Sequence, residues 1–469
     1  MVRHLNIVRL RRVSRDGEIE ELAFRPGLNL IAGPPNAGKS QWVRMLDHLL
    51  GDPEPFEDRF APDISDKYVT LEADITIGRD AFLIRRDFNR KGMKTKVRVD
   101  DKLFDTTGFQ QWLLEQLRIP PVAFPKGLTM NLAQQWPELS FRTLYRHIYR
   151  QQRFWGDLAD KQPMSESNAC LLQFLGLASR IFSKDTQELR ELRAQSDRKS
   201  TEIHTIDLAI DAVVARPAAS RPMLASAGPR ATAALSDLLD AHGNKLMALT
   251  DQALSGAAPA QSDLVLRLVE TALEMGALSE RNSILCDLVK WRGEAMAEFE
   301  RLSGLISDLA GRIHEDDIAG LIDERSRLLT GAMNEYLDIL NTVSNKYWRH
   351  SDIRLRMFRR NELSLCVGSM LWSRALGGTD SLLFLMAYHY GLLALSKHEE
   401  CHYPGFLIVD LPAYFDGETV SHMEAQMIAP FADLVARDAY KTCQVIFIGA
   451  SFQGETRGNQ IAITGSHLH

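Results

Sequence analysis

The chain has 469 residues, 45% of them hydrophobic, and 55 Lys and Arg stand against 61 Asp and Glu for a formal charge of −6. A chain of this length buries a sizeable core and has room for two or three domains, while so small a net charge excludes a bulk field of the kind that draws nucleic acid or a membrane surface, so that any DNA contact is local. Its five cysteines, Cys170, Cys286, Cys366, Cys401 and Cys443, show no CxxC or Cys/His spacing, which argues against a zinc site or disulfide framework and fits a reducing cytoplasm.

The opening MVRHLNIVRLRRV is basic and lacks a continuous apolar run, which speaks against a signal peptide. The runs LNIVRLRRV, EIEELAF and LNLIAG, parted by the turn pairs Asp16-Gly17 and Pro26-Gly27, predict three strands. The third opens into a glycine-bearing loop and then an amphipathic helix, SQWVRMLDHLLG. Residues Val69 to Val99 predict further strands, ending in the basic stretch RRDFNRKGMKTKVRV with a hairpin around Gly92. The segment FRTLYRHIYRQQRFW interleaves Arg, Tyr and Trp and reads as one helix. Residues 1–179 thus form the first half of an α/β head.

Between 180 and 347 the chain turns to Leu, Ala, Glu, Arg and Asp at helical spacing, which predicts an all-helical insertion. It is broken by ARPAASRPMLASAGPRA and LSGAAPAQS, so the pattern is too interrupted for a long coiled coil and fits a short arm or lid. From 348 to 469 strands return: DIRLRMF and LSLCVG flank an Arg360-Asn361 turn, and FLIVD, QVIFIGAS and QIAIT follow a long apolar helix. That helix, Ser381 to Ser396, is short for a bilayer and carries His389, so a core helix is expected and no membrane partner. Apolar strands alternating with helices predict a buried parallel sheet built from both chain ends.

Gly33, Pro34, Pro35, Asn36, Ala37, Gly38, Lys39 and Ser40 spell GPPNAGKS and match GxxxxGK(S/T) in full, between a strand and a helix as the motif requires. Backbone N–H groups there cradle phosphates, Lys39 reaches the β and γ phosphates of ATP, and Ser40 ligates Mg²⁺. Asp410 closes the strand FLIVD and is the matching carboxylate for the metal. Arg85, Arg86, Arg90, Lys91, Lys94, Lys96 and Arg98 either contact a phosphate backbone or make the solvated face of a hairpin, with Arg85 or Arg86 alternatively approaching the nucleotide. His147, His389 and His402 have no metal-ligand spacing, and no nucleophile elbow or carboxylate pair suggests a nuclease or protease centre.

The opening LAFRPGLNLIAGPPNAGKS, the helical insertion and the C-terminal order LGGTD, FLIVDLP, QVIFIGAS resemble the ABC ATPases of the SMC/RecF/RecN type, whose head is split by a helical arm. The resemblance covers about the first 175 and last 120 residues. It implies a P-loop NTPase head with ATP and Mg²⁺ as cofactors. It also implies that Gln151 or Gln152 is the glutamine sensing Mg²⁺ and the attacking water. Gly377, Gly378 and Thr379 match the signature loop that meets the γ-phosphate of a partner head, although Leu376 stands where a serine is usual. Leu411 replaces the expected glutamate, Ala450 replaces the switch histidine, and Pro412 with Asp416 keeps a shortened D-loop; Asp416 or Glu418 is a candidate replacement base.

The resulting expectation is a cytoplasmic homodimer of ATP-sandwiched heads with slow or degenerate hydrolysis. It would gate DNA sensing or a separate effector such as a nuclease, in bacterial repair or anti-phage defence. The alternatives are a DNA-stimulated ATPase motor and a non-catalytic scaffold with structural ATP.

Overall fold

Alternation of apolar and charged side chains gives β1 (Leu5–Ser14) and β4 (Tyr68–Ile77) one buried and one wetter face, the pattern of an antiparallel sheet with one side on a core. In the computed structural model they pair with each other, with β2 (Ile19–Ala23) outside β1, and with β5 (Asp80–Asp87), β6 (Lys96–Val99) and β7 (Lys102–Asp105) beyond β4, in the order β2-β1-β4-β5-β6-β7. Residues 2–88, 92–125, 136–215, 237, 240–249, 261–313, 315–343, 348–358, 362–412, 418–452, 454–455 and 457–464 are described.

A second sheet is parallel throughout and draws on both chain ends. Its order is β14 (Asn459–Ala462), β3 (Gly27–Ala32), β13 (Gln444–Gly449), β12 (Phe406–Asp410) and β8 (Tyr149–Arg150). Every residue of β12 and β13 is buried, which is why these strands read as unbroken apolar runs. A third sheet, β11 (Met370–Leu371), β10 (Glu362–Val367) and β9 (Ile353–Phe358), is antiparallel. The Arg360-Asn361 turn and residues 89–91, just before Gly92, lie outside the described residues.

The helices that matter for the site are α1 (Lys39–Leu49), α2 (Thr106–Leu117), α3 (Phe141–Ile148), α4 (Met164–Phe174), α5 (Lys184–Ala215), α6 (Gln261–Ile313), α7 (Glu315–Val343), α8 (Gly378–Leu395) and α9 (Glu418–Ala436). The described chain divides into two compact units, Met1–Ser183 with Asp316–His469, and Lys184–Glu315. The sequence reading placed residues up to 347 in the insertion, but α7 belongs with the head. Its Leu329, Met333, Tyr336, Leu337 and Leu340 are buried, and Tyr336 donates to the Met427 carbonyl of α9 at 3.0 Å. The reason is close approach: a Cβ on Gly391 of α8 would stand 2.8 Å from Met333 Cγ and 2.9 Å from Leu329 Cδ1, so the glycine lets the two helices touch.

In the other unit α5 and α6 run antiparallel. Ile206, Ile210 and Val213 pack against Leu278, Leu285, Leu288 and Val289, and Arg292 bonds Asp207 at 2.6 Å. No helix among the described residues is long and apolar enough to cross a membrane.

One side chain fixes α1 to the antiparallel sheet. Arg12 of β1 is 2% exposed, with its guanidinium 4.1 Å from the centre of the Trp42 ring of α1 and 4.5 Å from that of Tyr68. Glu20 of β2 accepts from Arg12 and, at 3.1 and 3.0 Å, from Lys67 and Tyr68. Burial works to raise the Glu20 carboxyl, but the Arg12 bonds and charge, helped by Lys67 and Tyr68, outweigh it and hold the group at about 2.

Candidate nucleotide-binding site

The GPPNAGKS segment forms the loop between β3 and α1. Gly38, at φ +85, is the residue before the first turn of α1, a conformation that glycine adopts without strain. Gly33 is required by packing as well: its N–H donates to the Ala450 carbonyl at 3.2 Å, and a Cβ there would lie 2.4 Å from the Ile463 carbonyl oxygen. Lys39 folds back over the loop, Nζ donating to the Gly33 carbonyl at 2.5 Å and to the Pro34 carbonyl at 2.7 Å. Burial lowers its pKa, opposed by the charges of Asp410 and Glu424.

Asp410, 4% exposed, ends β12 and lines the same cavity as Ser40. Burial raises its carboxyl to about 6 against the pull of Ser40 and Lys39. A hydroxyl and a buried carboxylate short of positive charge form a hard oxygen donor pair, which fits Mg²⁺. These groups share one open cavity of about 340 Å³ with Gln152, Leu411, Glu424 and Ala450. Among the described residues no cluster of three or more His, Cys, Asp or Glu offers another metal site.

The helix expected through FRTLYRHIYRQQRFW ends at Ile148, because Tyr149 and Arg150 extend and pair with Ile408 and Val409 of β12. The two glutamines therefore sit in a loop. Gln152 is exposed and lines the cavity, while Gln151 is half-buried and is not among its lining residues. Arg150, 2% exposed, holds that loop: it donates to the carbonyls of Phe154 and Asp157 at 2.7 Å and of Leu158 at 2.5 Å, and its Nε donates to His389 Nε2 at 3.0 Å. His147 bonds the Tyr388 hydroxyl at 2.8 Å and Gln162 at 2.7 Å. His147 and His389 are thus core hydrogen-bonding groups.

Gly377, Gly378 and Thr379 are exposed at the N-terminus of α8 and do not line the cavity. A Cβ on either glycine would meet nothing within 4 Å. Leu411 is 3% exposed, its N–H donating to the Ile448 carbonyl at 3.0 Å, and Ala450 lines the cavity, so neither position supplies a titratable group. Asp416 lies outside the described residues, as does the side chain of Glu418.

Of the basic stretch, Arg86 is fully buried and donates to the carbonyls of His48, Asp52 and Lys94 at 2.6, 2.8 and 3.0 Å, so it serves the core and is not available to DNA or nucleotide. Arg85 pairs with Glu72 and Asp87, and Lys94 with Glu57. Arg90 and Lys91 lie outside the described residues.

Sequence reasoning overlooked Glu424 of α9. It is 2% exposed, lines the cavity, and its Oε2 makes no hydrogen bond. Burial raises its pKa. The signal was its place, three, four and seven residues before the buried Met427, Ile428 and Phe431, on the apolar stripe of its helix.

No family model matches the sequence and no curated protein matches it. Solved structures with a similar chain path include the Smc head domain of Pyrococcus furiosus with an extended coiled coil, bound to the C-terminal domain of ScpA. It is 14% identical, with 95% of this chain and 90% of that one covered and a TM-score of 0.44. The Smc head domain of Pyrococcus yayanosii with a coiled coil and joint is 13% identical, covering 95% and 92% with a TM-score of 0.46. The recombination mediator RecF with ATP is 10% identical, covering 97% and 94% with a TM-score of 0.33. The roles of residues rest on the geometry of this chain: an antiparallel sheet beside a parallel one, a P-loop between β3 and α1, Asp410 at the end of β12, and a helical insertion between the two halves. The head is an α/β fold assembled from both chain ends, with a P-loop segment between β3 and α1.

Proposed function

We propose that this chain binds ATP with Mg²⁺ and that nucleotide closes two heads on each other, gating DNA sensing or an associated effector such as a nuclease. The observation that carries this reading is the division of the site. Lys39, Ser40, Asp410 and Gln152 line one cavity, whereas Gly377 and Gly378 stand exposed outside it on α8. A loop with open space around it at the N-terminus of an 18-residue helix is suited to an anion presented by a second copy.

In this reading Lys39 leaves the Gly33 and Pro34 carbonyls for the β and γ phosphates. Ser40 and Asp410 would hold Mg²⁺, which would supply positive charge against the phosphates, and Gln152, rather than Gln151, lines that cavity. Nucleotide that binds the closed pair better than the open head shifts the population by that difference in affinity. Leu411 and Ala450 leave the usual base and switch positions apolar, which favours a slow, long-lived closed state in bacterial repair or defence. A second reading, an active motor, is favoured by Glu424 alone.

Equilibrium binding of a fluorescent ATP analogue tests the foundation. Lys39→Ala weakens binding by about 100-fold, the scale of about 3 kcal/mol for a lost charge-assisted contact. Equal affinity in wild type and Lys39→Ala contradicts the site.

A further inference from the structure

We infer that Glu424 is the carboxylate that activates the attacking water, supplied from α9 in place of the residue after Asp410. The inference rests on the ATP-binding reading and sharpens it, since it turns a head without a recognisable base into a working ATPase.

Two positions at the strand ends carry no polar side chain. Leu411 after β12 and Ala450 after β13 can neither take nor give a proton, although both border the cavity. Glu424 reaches the same wall from the helix between those strands. A Cβ built on Gly449 would stand 3.4 Å from Glu424 Oε2, so the carboxylate lies over the end of β13, with glycine beneath it leaving room. Oε2 is left without a donor although the residue is 2% exposed.

A buried, unpartnered carboxylate oxygen costs stability unless something else bonds it. A core position on α9 would be more stable with an apolar residue. Glu424 lines the cavity that holds the P-loop, where a water placed against a γ-phosphate would donate to its carboxylate. The charged groups around Glu424 are Lys39 of α1, which opposes its protonation, and Asp410 at the end of β12, the other carboxylate of the cavity. With Mg²⁺ on Asp410 and phosphates on Lys39, Glu424 is, among the described residues, the carboxylate of the cavity left to accept a proton.

The step is hydrolysis. Water oxygen bonds the γ-phosphorus, its proton passes to Glu424 Oε2, and the bond from γ-phosphorus to the bridging oxygen breaks. That oxygen leaves on ADP with the electron pair. Glu424 then releases its proton to solvent. A role confined to neutralising Lys39 predicts otherwise: removing the charge would change ATP affinity and leave turnover alone.

The experiment measures phosphate release and ATP affinity for the full chain, Glu424→Gln and Glu424→Asp, with Lys39→Ala as the binding control. Glu424→Gln keeps the shape of the side chain and removes its charge. It retains ATP affinity within about threefold and loses turnover by about 100-fold or more, the usual contribution of a positioned base. The acid limb of the wild-type pH–rate profile disappears with it. Glu424→Asp keeps the charge but withdraws it by one methylene; it lowers kcat at unchanged affinity, and it decides the matter if the glutamine variant fails to fold. Wild-type turnover in either variant overturns the inference. ATP binding without phosphate release by the wild type also overturns it, while the ATP-binding reading survives. Absence of ATP binding by the wild type defeats that reading instead.

Discussion

At the residue scale, the P-loop was legible because its chemistry is local: eight consecutive residues carry the phosphate cradle, and a strand and a helix flank it. Glu424 was not, because a carboxylate on a helix acquires meaning only when the fold brings it to the ends of β12 and β13. Arg86 errs in the opposite direction. Its neighbours in sequence are basic, yet the guanidinium is spent on three backbone carbonyls inside the protein. Arg12 shows the same economy and yields a prediction. Its partner Glu20 titrates at about 2 in the folded chain against an ordinary 4.5, so between these values the unfolded chain binds more protons. The stabilisation is complete above about pH 4.5 and is lost as pH falls towards 2. Glu20→Gln leaves Arg12 buried without its anion and lowers stability at pH 7 by about 1–3 kcal/mol. The variant then loses less further stability than wild type on acidification through that window. Urea unfolding at several pH values reads both effects; parallel pH profiles for the two proteins contradict the assignment.

At the element scale, period-2 alternation and apolar runs located strands β1 to β4, β12 and β13 in the sequence, and the two chain ends were legible as halves of one sheet. The helix through Tyr149 and Arg150 was not: those residues have helical neighbours, and only pairing with β12, more than 250 residues later, draws them into a strand. The same non-local effect moved α7 from the insertion to the head. Helical periodicity cannot say what a helix packs against, whereas Gly391 can once its surroundings are known. Gly391→Ala places a methyl 3.0 Å or less from Met333, Leu329 and the Leu329 carbonyl. The crowding of a packed core costs about 1–3 kcal/mol, which outweighs the gain of up to ~1 kcal/mol from replacing a helical glycine. Chemical denaturation of the variant therefore shows a lower midpoint; an unchanged or higher midpoint would mean that α7 and α8 separate easily.

At the scale of the whole molecule, the proposed pairing gives each head half of each of two sites. Its cavity holds the P-loop, Ser40 and Asp410, while Gly377 and Gly378 face outward on α8. Gly377 has extended backbone at φ −149 and open space around it, so Gly377→Glu is accommodated by the fold. It would bring a negative charge against the phosphate of a facing head. The variant retains ATP binding in its own cavity and fails to pair. The most direct measurement is the mass in solution by light scattering, for wild type and Gly377→Glu, without nucleotide and with Mg-ATP. The account predicts that Mg-ATP doubles the mass of the wild type and leaves Gly377→Glu monomeric although it binds ATP. A wild-type mass that ignores bound ATP, or a Gly377→Glu variant that pairs as the wild type does, would contradict it.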